Sequence, residues 1–273
     1  MSEATSIEPS RLPSRPKVVA SDLDGTLVNS EGRVSPRTRA ALDLVRERGA
    51  LLVFVTGRPP RWMYQVVEET GASGLAICAN GAMVYDLGTQ QVIRQHVLDA
   101  DSARRLVDAI RAELPGVTFA VESGMRFGHE PSYVPSWPAP NTAVAEVAQL
   151  LRDPVAKLLV RHPEHGPDEI HHIVAGIAGA DANVTYSGNV LLEVSGAGIS
   201  KASTLEALCT DAGIAPADVI AFGDMPNDVP MLAWAGHGVA VANAHPRVLE
   251  VADEVTASND DDGVALVLER LYR

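Results

Sequence analysis

Two aspartates near the start of the chain have the type and spacing that a metal-assisted reaction would need. Asp22 and Asp24 follow the apolar run 18–20, which is typical of a buried β-strand. Because alternate side chains of a strand point the same way, both carboxylates start on one side of its end, and Gly25 then permits a turn. Carboxylates this close repel each other, and a hard divalent cation such as Mg²⁺ would remove the repulsion. The alternative is an acidic surface turn.

Polar residues follow later apolar runs in the same way. Thr56, Asn80 and the pair Asp224 and Asp228 each come after such a run. Ligands of parallel α/β sheets bind at the carboxyl ends of the strands, so we expect these groups to converge. Lys201 begins a predicted helix, where the helix dipole disfavours a cation, and we expect it to neutralise clustered carboxylates or an anion. The alternative is an ordinary surface lysine.

These residue types together suit phosphoryl transfer. One carboxylate can attack phosphorus to form a mixed anhydride, and a second can protonate the leaving oxygen and later take a proton from water. A metal ion, a lysine and a threonine hydroxyl can stabilise the negative charge of the transferring group. The residues therefore predict a magnesium-dependent phosphoryl-transfer site.

The elements that must position these groups form two patterns. Buried strands at 17–21, 51–55 and 75–79 alternate with helices after Ser35 and from Pro59, and the alternation resumes after residue 198. This predicts a parallel sheet with right-handed crossovers. Between these two regions of alternating strands and helices, the chain alternates apolar and polar residues, which is typical of half-exposed antiparallel strands. The predictions there are strands at 91–98, 117–122 and 156–161, helices at 100–114, 142–151 and 168–178, and a hairpin-like pair in 183–194.

We therefore predict an α/β protein with a doubly wound, Rossmann-like parallel sheet and an inserted α+β cap domain. The predicted core comprises residues 17–84 and 196–273, the cap residues 85–195, and a disordered tail residues 1–16. A cap over the site would exclude water during the first half-reaction.

The composition limits the possible partners. The 273 residues are 46% hydrophobic and 21% charged, which suits a globular chain with a full core. The net charge of −13 argues against a nucleic-acid or anionic-membrane binder. Cys78 and Cys209 lie in apolar runs and are expected to be buried and unpaired. With no apolar run typical of a signal peptide or membrane span, a soluble, cytoplasmic location is expected; the oligomeric state is not predicted.

Four segments of the chain resemble the motifs of the haloacid-dehalogenase-like (HAD) phosphatases. They are Asp22-Leu23-Asp24-Gly25-Thr26, Thr56-Gly57-Arg58, Lys201 and Gly223-Asp224-Met225-Pro226-Asn227-Asp228. Asn80-Gly81-Ala82 just before the insert is similar to the Cof-type subfamily, which has a large α/β cap of the C2 class. The resemblance covers about residues 17–273, whereas the tail and the proline-rich loop at 131–140 depart from it.

The resemblance implies roles for the matching positions. Asp22 would be the nucleophile and a Mg²⁺ ligand, and Asp24 the general acid/base whose backbone carbonyl also binds Mg²⁺. Asp224 would complete the metal site, and Asp228 would orient Lys201 or metal-bound water. Thr56 and Lys201 would hold the phosphoryl oxygens. Arg58 would contact the substrate or pair with a carboxylate. Substrate-binding positions would be Thr56, Gly57, Arg58, Asn80, Lys201 and Asn227.

Other polar groups give weaker signals. A zinc site is possible at the histidine cluster, but a solvated loop and helix start is favoured. An exposed acidic turn is likewise favoured for the aspartates at 260–262. Either the substrate or the cap's own core could contact the aromatic residues of the cap. The residues concerned are the histidines His162, His165, His171 and His172, and the cap candidates Glu122, Arg126, His129, Tyr133, Trp137 and Asn189.

The predicted activity is magnesium-dependent hydrolysis of a small phosphomonoester, a sugar phosphate or similar phosphometabolite, through an aspartyl-phosphate. The resemblance leaves flavin mononucleotide, pyridoxal phosphate and nucleotides open as substrates too. One alternative is a phosphotransferase or mutase of the phosphomannomutase type, which would isomerise its substrate without releasing phosphate. Another is a non-catalytic module that binds a phosphorylated ligand, although such a module needs no second carboxylate as acid/base.

Overall fold

Strands and helices alternate through the first and last parts of the chain, in the order that the apolar runs predict. The computed structural model describes residues 15–136, 141–186, 188 and 190–273. The first part contains β1 Val18–Ser21, α1 Pro36–Glu47, β2 Leu51–Val55, α2 Met63–Thr70, β3 Leu75–Cys78, β4 Met83–Asp86 and β5 Gln91–Gln95. The middle part contains α3 Ala100–Glu113, β6 Thr118–Ser123, β7 Arg126–His129, β8 Ala143–Val144, α4 Val147–Leu150, β9 Lys157–Arg161, α5 Pro167–Ala178, β10 Ala182–Thr185 and β11 Leu192–Gly196. The last part contains α6 Lys201–Asp211, β12 Val219–Gly223, α7 Val229–Trp234, β13 His237–Ala240, α8 Pro246–Leu249, β14 Glu254–Val255 and α9 Gly263–Tyr272.

The first sheet has eight strands in the order β14-β13-β12-β1-β2-β3-β4-β5. The six strands from β14 to β3 are parallel, and β4 and β5 join them as antiparallel strands at one edge. Strand β1 is central, and all four of its residues are buried. Helices cover both faces of such a sheet, which explains why the parallel strands are nearly continuous runs of aliphatic residues. The predicted α/β class with a parallel-sheet core is confirmed.

The second sheet has six strands in the order β10-β11-β9-β6-β7-β8. Its pairs are antiparallel, except for β7 with β8, which are parallel. Helices α3 and α5 lie against it and form a hydrophobic cluster with its strands that is separate from the cluster around the first sheet. Apart from Gly196, the last residue of β11, this sheet and its helices lie within the segment 85–195 predicted to be an inserted α+β cap.

Local sequence signals account for the ends of the helices that support the site. The Ser35 side chain accepts a hydrogen bond from the backbone amide of Thr38, and Pro36 occupies the first helical position of α1. Helix α6 begins at Lys201 after Ser200, whose hydroxyl accepts from the amide of Ser203. The predicted start of this helix is therefore confirmed.

Two predictions in the middle of the chain are wrong. The helix expected at 142–151 is reduced to the four residues of α4, because Ala143 and Val144 instead pair with β7. The strand expected at 91–98 ends at Gln95 and belongs to the first sheet through β4, beyond the predicted core boundary at residue 84. An alternating pattern identifies an exposed edge strand but not the sheet that it joins. The domain boundaries themselves stay predictions.

The two cysteines, Cys78 and Cys209, are buried and unpaired, as expected. No helix in the described part of the chain is both long enough and apolar enough to span a membrane.

Candidate active site

Four neighbouring strands of the first sheet deliver polar residues to one edge. Asp22 follows β1, Thr56 follows β2, Asn80 lies just after β3, and Asp224 follows β12. Because β12, β1, β2 and β3 are consecutive and parallel in the sheet, their carboxyl ends meet. Lys201, the first residue of α6, extends its side chain to the same place.

A buried lysine joins two of the three clustered carboxylates. The Nζ of Lys201 donates to Oδ1 of Asp22 at 2.6 Å and to Oδ1 of Asp228 at 2.7 Å. Asp22, Asp224 and Asp228 each place a carboxylate oxygen within 4.8 Å of the others. All four side chains are buried. One ammonium group therefore faces three carboxylates in a site largely closed to water.

The charge imbalance changes the acidity of the cluster. Burial raises the pKa of Asp22 well above its ordinary value, against the opposing effect of Lys201. Burial, and then the charge of Asp228, raise the pKa of Asp224 to about 7. The pKa of Lys201 is also raised, because its two carboxylate partners outweigh the effect of burial. Without a further positive charge, the cluster therefore favours a bound proton.

The loop after β12 positions two of the carboxylates. Oδ2 of Asp228 accepts hydrogen bonds from the backbone amides of Asp224 at 3.1 Å and Met225 at 3.0 Å. The hydroxyl of Thr26 donates to Oδ1 of Asp224 at 2.7 Å. These bonds use some of the carboxylate lone pairs and leave others available to a ligand.

The turn after Asp24 needs a glycine for two reasons. Gly25 has φ +82°, in the left-handed region, and a Cβ atom at this position would lie 2.5 Å from Oδ2 of Asp224. The glycine therefore permits the turn, as expected, and also the close approach of the Asp224 carboxylate.

The turn after β2 places Arg58 beside Asp24. The guanidinium of Arg58 donates to both carboxylate oxygens of Asp24, from Nε at 2.8 Å and from Nη2 at 2.5 Å. Thr56 is fully buried, and its hydroxyl accepts from the backbone amide of Arg58 at 3.0 Å. The structure shows the carboxylate pair, and because Arg58 also lines the cavity, its contact with the substrate stays a prediction. The Asp24 side chain is half-exposed and lies outside the three-carboxylate cluster.

A chain of buried polar groups connects the first sheet with the second. Nδ2 of Asn227 donates to Oδ1 of Asn80 at 3.0 Å, and Nδ2 of Asn80 donates to Oε2 of Glu193 at 2.7 Å. Lys157 donates to Oε1 of Glu193 at 2.5 Å and to the backbone carbonyl of Gly57 at 2.8 Å. Asn80 has φ +56°, which turns its side chain between the two sheets. Through Lys157 and Glu193, strands β9 and β11 thus contact the two turns of the first sheet that carry Gly57 and Asn80, both predicted to bind the substrate.

A cavity of about 620 Å³ opens beside the cluster, between the two sheets. Asp22, Asp24, Gly57, Arg58 and Asn227 line one side of it. Glu122, Tyr133, Lys157 and Glu193 line the other.

Sequence reasoning missed Arg61 and two of the buried charges of the second sheet, Lys157 and Glu193. Lys157 stands in the otherwise apolar stretch 155–160, and Glu193 stands between Leu192 and Val194. A charged residue inside a strand that is apolar on both sides was the available signal, since such a charge is retained only with a partner. Arg61 gave no signal, because nothing in its local sequence indicates Glu122 as its partner.

The weaker candidates of the cap divide into residues that line the cavity and residues that do not. Glu122 and Tyr133 line the cavity, and Tyr133 also packs against Phe127, so both interpretations of that tyrosine hold. Arg126 instead pairs with the exposed Asp153, and the ring of His129 contacts the backbone carbonyl of Glu130. The other cap candidates, Trp137 and Asn189, lie outside the described residues, as do the proline-rich 137–140 and most of the tail.

The histidines and the late aspartates form no metal centre in the described part of the chain, where the cluster of Asp22, Asp224 and Asp228 is the one group with converging ligand atoms. His162 contacts the carbonyl of Pro115, and His165 pairs with Glu169. Asp260, Asp261 and Asp262 each accept hydrogen bonds from neighbouring backbone or hydroxyl groups.

Residues 19–268 match the family of haloacid dehalogenase-like hydrolases. The chain is 31% identical over 242 residues to the HMP-PP phosphatase of Serratia proteamaculans, covering 85% of this chain and 86% of that protein. It is 26% identical over 265 residues to the 5-amino-6-(5-phospho-D-ribitylamino)uracil phosphatase YitU of Bacillus subtilis, with 94% and 98% covered. The solved structure of the phosphatase BT1666 from Bacteroides thetaiotaomicron superposes with a TM-score of 0.81 at 26% identity, covering 98% of this chain and 99% of that one.

The chain belongs to the haloacid dehalogenase-like hydrolases. The Cof-type, capped HAD phosphatase class predicted from the four motifs is confirmed by the family match and by these relatives.

Proposed function

We propose that the protein hydrolyses a small phosphomonoester with the help of Mg²⁺, through an aspartyl-phosphate on Asp22. The observation that supports this most strongly is the buried cluster of three carboxylates around Lys201, at the carboxyl ends of four parallel strands. The names of the similar phosphatases point to small phosphorylated metabolites as substrates, and each names a different compound.

The carboxylate cluster fits a divalent cation. Its three carboxylates face one lysine, and the pKa of Asp224 rises to about 7, so the group lacks positive charge. Oxygen donors of this kind suit Mg²⁺, which Asp22, Asp224 and the backbone carbonyl of Asp24 would hold. The bound ion would supply positive charge to the phosphoryl oxygens.

Asp22 is the proposed nucleophile. Its carboxylate oxygen forms a bond to phosphorus while the bond from phosphorus to the alcohol oxygen breaks, which leaves an acyl phosphate. The phosphoryl oxygens are held by the ammonium of Lys201, which lies 2.6 Å from Asp22, and by the hydroxyl of Thr56. Gly57 and Asn227 are the other residues proposed to contact the substrate there. Asp228 keeps the Lys201 ammonium in place from its other side.

Asp24 is the proposed acid/base. It gives a proton to the departing alcohol oxygen, and then takes one from the water that attacks the acyl phosphate and restores Asp22. Arg58 donates to both oxygens of Asp24 and so orients this group, and the guanidinium would release one of these oxygens when Asp24 takes up the proton that it later donates. Asn80 and Lys157 tie the second sheet to the site, where the cap limits access of water before the substrate is cleaved.

The direct experiment is a phosphate-release screen over a panel of phosphorylated metabolites, with Mg²⁺ present or chelated. We expect release only with the metal, and a loss on the order of 10³-fold or more for Asp22→Asn. Asp218→Asn, which changes a partly exposed aspartate paired with Lys17, is the matched control and should retain activity. Isomerisation of a sugar phosphate without phosphate release would favour the mutase alternative, and full activity of Asp22→Asn would exclude the proposed nucleophile.

A further inference from the structure

The cavity wall opposite the carboxylate cluster carries charges that cancel in pairs. Arg61 donates from both terminal nitrogens to the carboxylate of Glu122, one of these bonds being 3.0 Å long. Lys157 pairs with Glu193 at 2.5 Å. Glu122, Lys157 and Glu193 are each less than 5% exposed, so water does little to weaken these pairs.

The third cation of the cavity is also paired. Among the described residues that line the cavity, the cations are Arg58, Arg61 and Lys157, and Arg58 is engaged by Asp24. Among the described lining residues, the wall that would face a leaving group therefore presents no cation without a carboxylate partner.

This arrangement disfavours a leaving group that carries its own negative charge. A second phosphate or a carboxylate would have to separate Arg61 from Glu122 or Lys157 from Glu193, and that would take the counter-charge away from a buried carboxylate. A polyol is disfavoured by the same arrangement, because its hydroxyls would compete for polar groups that already bind one another.

Apart from a few uncharged polar side chains such as Gln65 and Ser136, much of the remaining lining is apolar and partly aromatic. Trp62, Phe127, Tyr133, Leu159 and Leu191 line the cavity. The rings of Phe127 and Tyr133 meet edge to face, with centroids 6.5 Å apart. Flat rings pack favourably against such surfaces.

Arg61 bridges the aromatic and the charged parts of the wall. Its guanidinium carbon lies 5.0 Å from the centroid of the Trp62 ring and 5.4 Å from that of Phe127. The pairing with Glu122 thus also holds Arg61 against two rings that face the cavity.

We propose that the leaving group of the substrate is an uncharged alcohol with a flat, largely apolar ring. Glu122 and Glu193 determine this specificity, because they neutralise Arg61 and Lys157. The inference rests on the proposed phosphatase function and narrows its substrate class.

The first test compares three esters with the wild-type enzyme and Mg²⁺: benzyl phosphate, para-carboxybenzyl phosphate and sorbitol phosphate. We expect kcat/KM for benzyl phosphate to exceed both others by about tenfold or more, since an unpaired or competing polar group weakens binding by at least that factor. An equal or higher value for the carboxylated ester or the polyol would overturn the inference but leave the phosphatase function intact. No phosphate release from any ester would instead contradict the proposed function.

The second test removes the carboxylate partner of one positively charged side chain in the cavity wall. In Glu122→Gln, Arg61 loses its counter-charge, so the preference for benzyl over para-carboxybenzyl phosphate should fall by about tenfold. Glu193→Gln should do the same through Lys157, and it keeps the result decisive if the first variant does not fold.

The matched control is Glu130→Gln. Glu130 is also buried and paired with an arginine, Arg111, but it does not line the cavity. The Glu130→Gln variant should prefer benzyl over para-carboxybenzyl phosphate by the same factor as the wild type. An unchanged preference in both cavity variants, or an equal change in the control, would overturn the inference.

Discussion

The carboxylate cluster of the first sheet and the charged wall of the cavity use the same residue types with opposite charge balance. In the cluster, three carboxylates share Lys201. In the wall, Arg61 and Lys157 each have their own carboxylate. Both regions are buried, so the difference lies in the ratio of acids to bases rather than in exposure to water.

This difference explains why the carboxylate cluster suits catalysis and the charged wall suits discrimination between substrates. Burial, and then the charge of Asp228, raise the pKa of Asp224 to about 7, and the surplus of carboxylates makes the cluster a place for a cation. A paired wall has no comparable need for an ion, and it penalises a ligand that would break its pairs. Three changes would test this contrast.

The same substitution in the two regions should have unequal effects on activity. Lys201→Met should lower kcat/KM by about 10²–10³-fold, because it removes a donor beside the nucleophile, whereas Lys157→Met should lower it by about tenfold through the position of the Gly57 turn. Lys201→Met removes the cation beside two buried carboxylates and Lys157→Met the cation beside one, so both variants should lose about 3–5 kcal/mol of stability. Steady-state kinetics and denaturant unfolding measure the two quantities. Equal losses of activity would remove the contrast between the regions.

The geometry of the cluster can be disturbed without changing any charge. Gly25→Ala should lower the affinity for Mg²⁺ and kcat by about tenfold, since its Cβ would lie 2.5 Å from the carboxylate of Asp224. Gly32→Ala is the control, because Gly32 has a similar φ of +77° with no atom within 4 Å of the added Cβ. Both variants carry similar backbone strain, of about 1–2 kcal/mol. Metal titration and kinetics should therefore separate them, and identical behaviour would contradict the proposed role of this close approach.

The smallest expected effect concerns pH. The folded-state pKa of Asp224 is raised from 3.8 to about 7, so the folded protein holds a proton that the unfolded chain releases. The stabilisation from that proton is full below the unfolded pKa and is lost as the pH rises through about 7. In chelator, Tm should therefore fall between about pH 5 and pH 8, and Mg²⁺ should restore it at the upper end by binding the ionised form.

Asp224→Asn is the reference for the pH series. It cannot ionise at this position, so its Tm in chelator should vary less over the same pH range. A wild-type protein whose Tm rises with pH in chelator would show that the cluster gains rather than loses stability on ionisation.

Local sequence was sufficient to place the site residues on the fold. Asp22, Thr56 and Asp224 follow apolar runs that become parallel strands, and Lys201 follows the serine cap of α6. These signals are local, because burial on both faces of a strand and the capping of a helix are visible over a few neighbouring residues.

The errors arose where a local pattern permits two outcomes. Residues 91–95 have the alternation of an edge strand, and only pairing with β4 assigns them to the first sheet. Residues 143–144 could extend a helix, but they pair with β7. Hydrogen-bond partners from distant parts of the chain decide both cases.

The sequence alone placed the proposed nucleophile, acid/base and cation ligands at the ends of locally recognisable elements, and the resemblance of the four motifs to the HAD phosphatases implied their roles. The tertiary structure alone decided that Arg61 meets Glu122, that Lys157 meets Glu193, and that Arg58 grips Asp24. The reason is physical: the charge balance of a buried site depends on distances between side chains that folding brings together, and no local pattern encodes those distances.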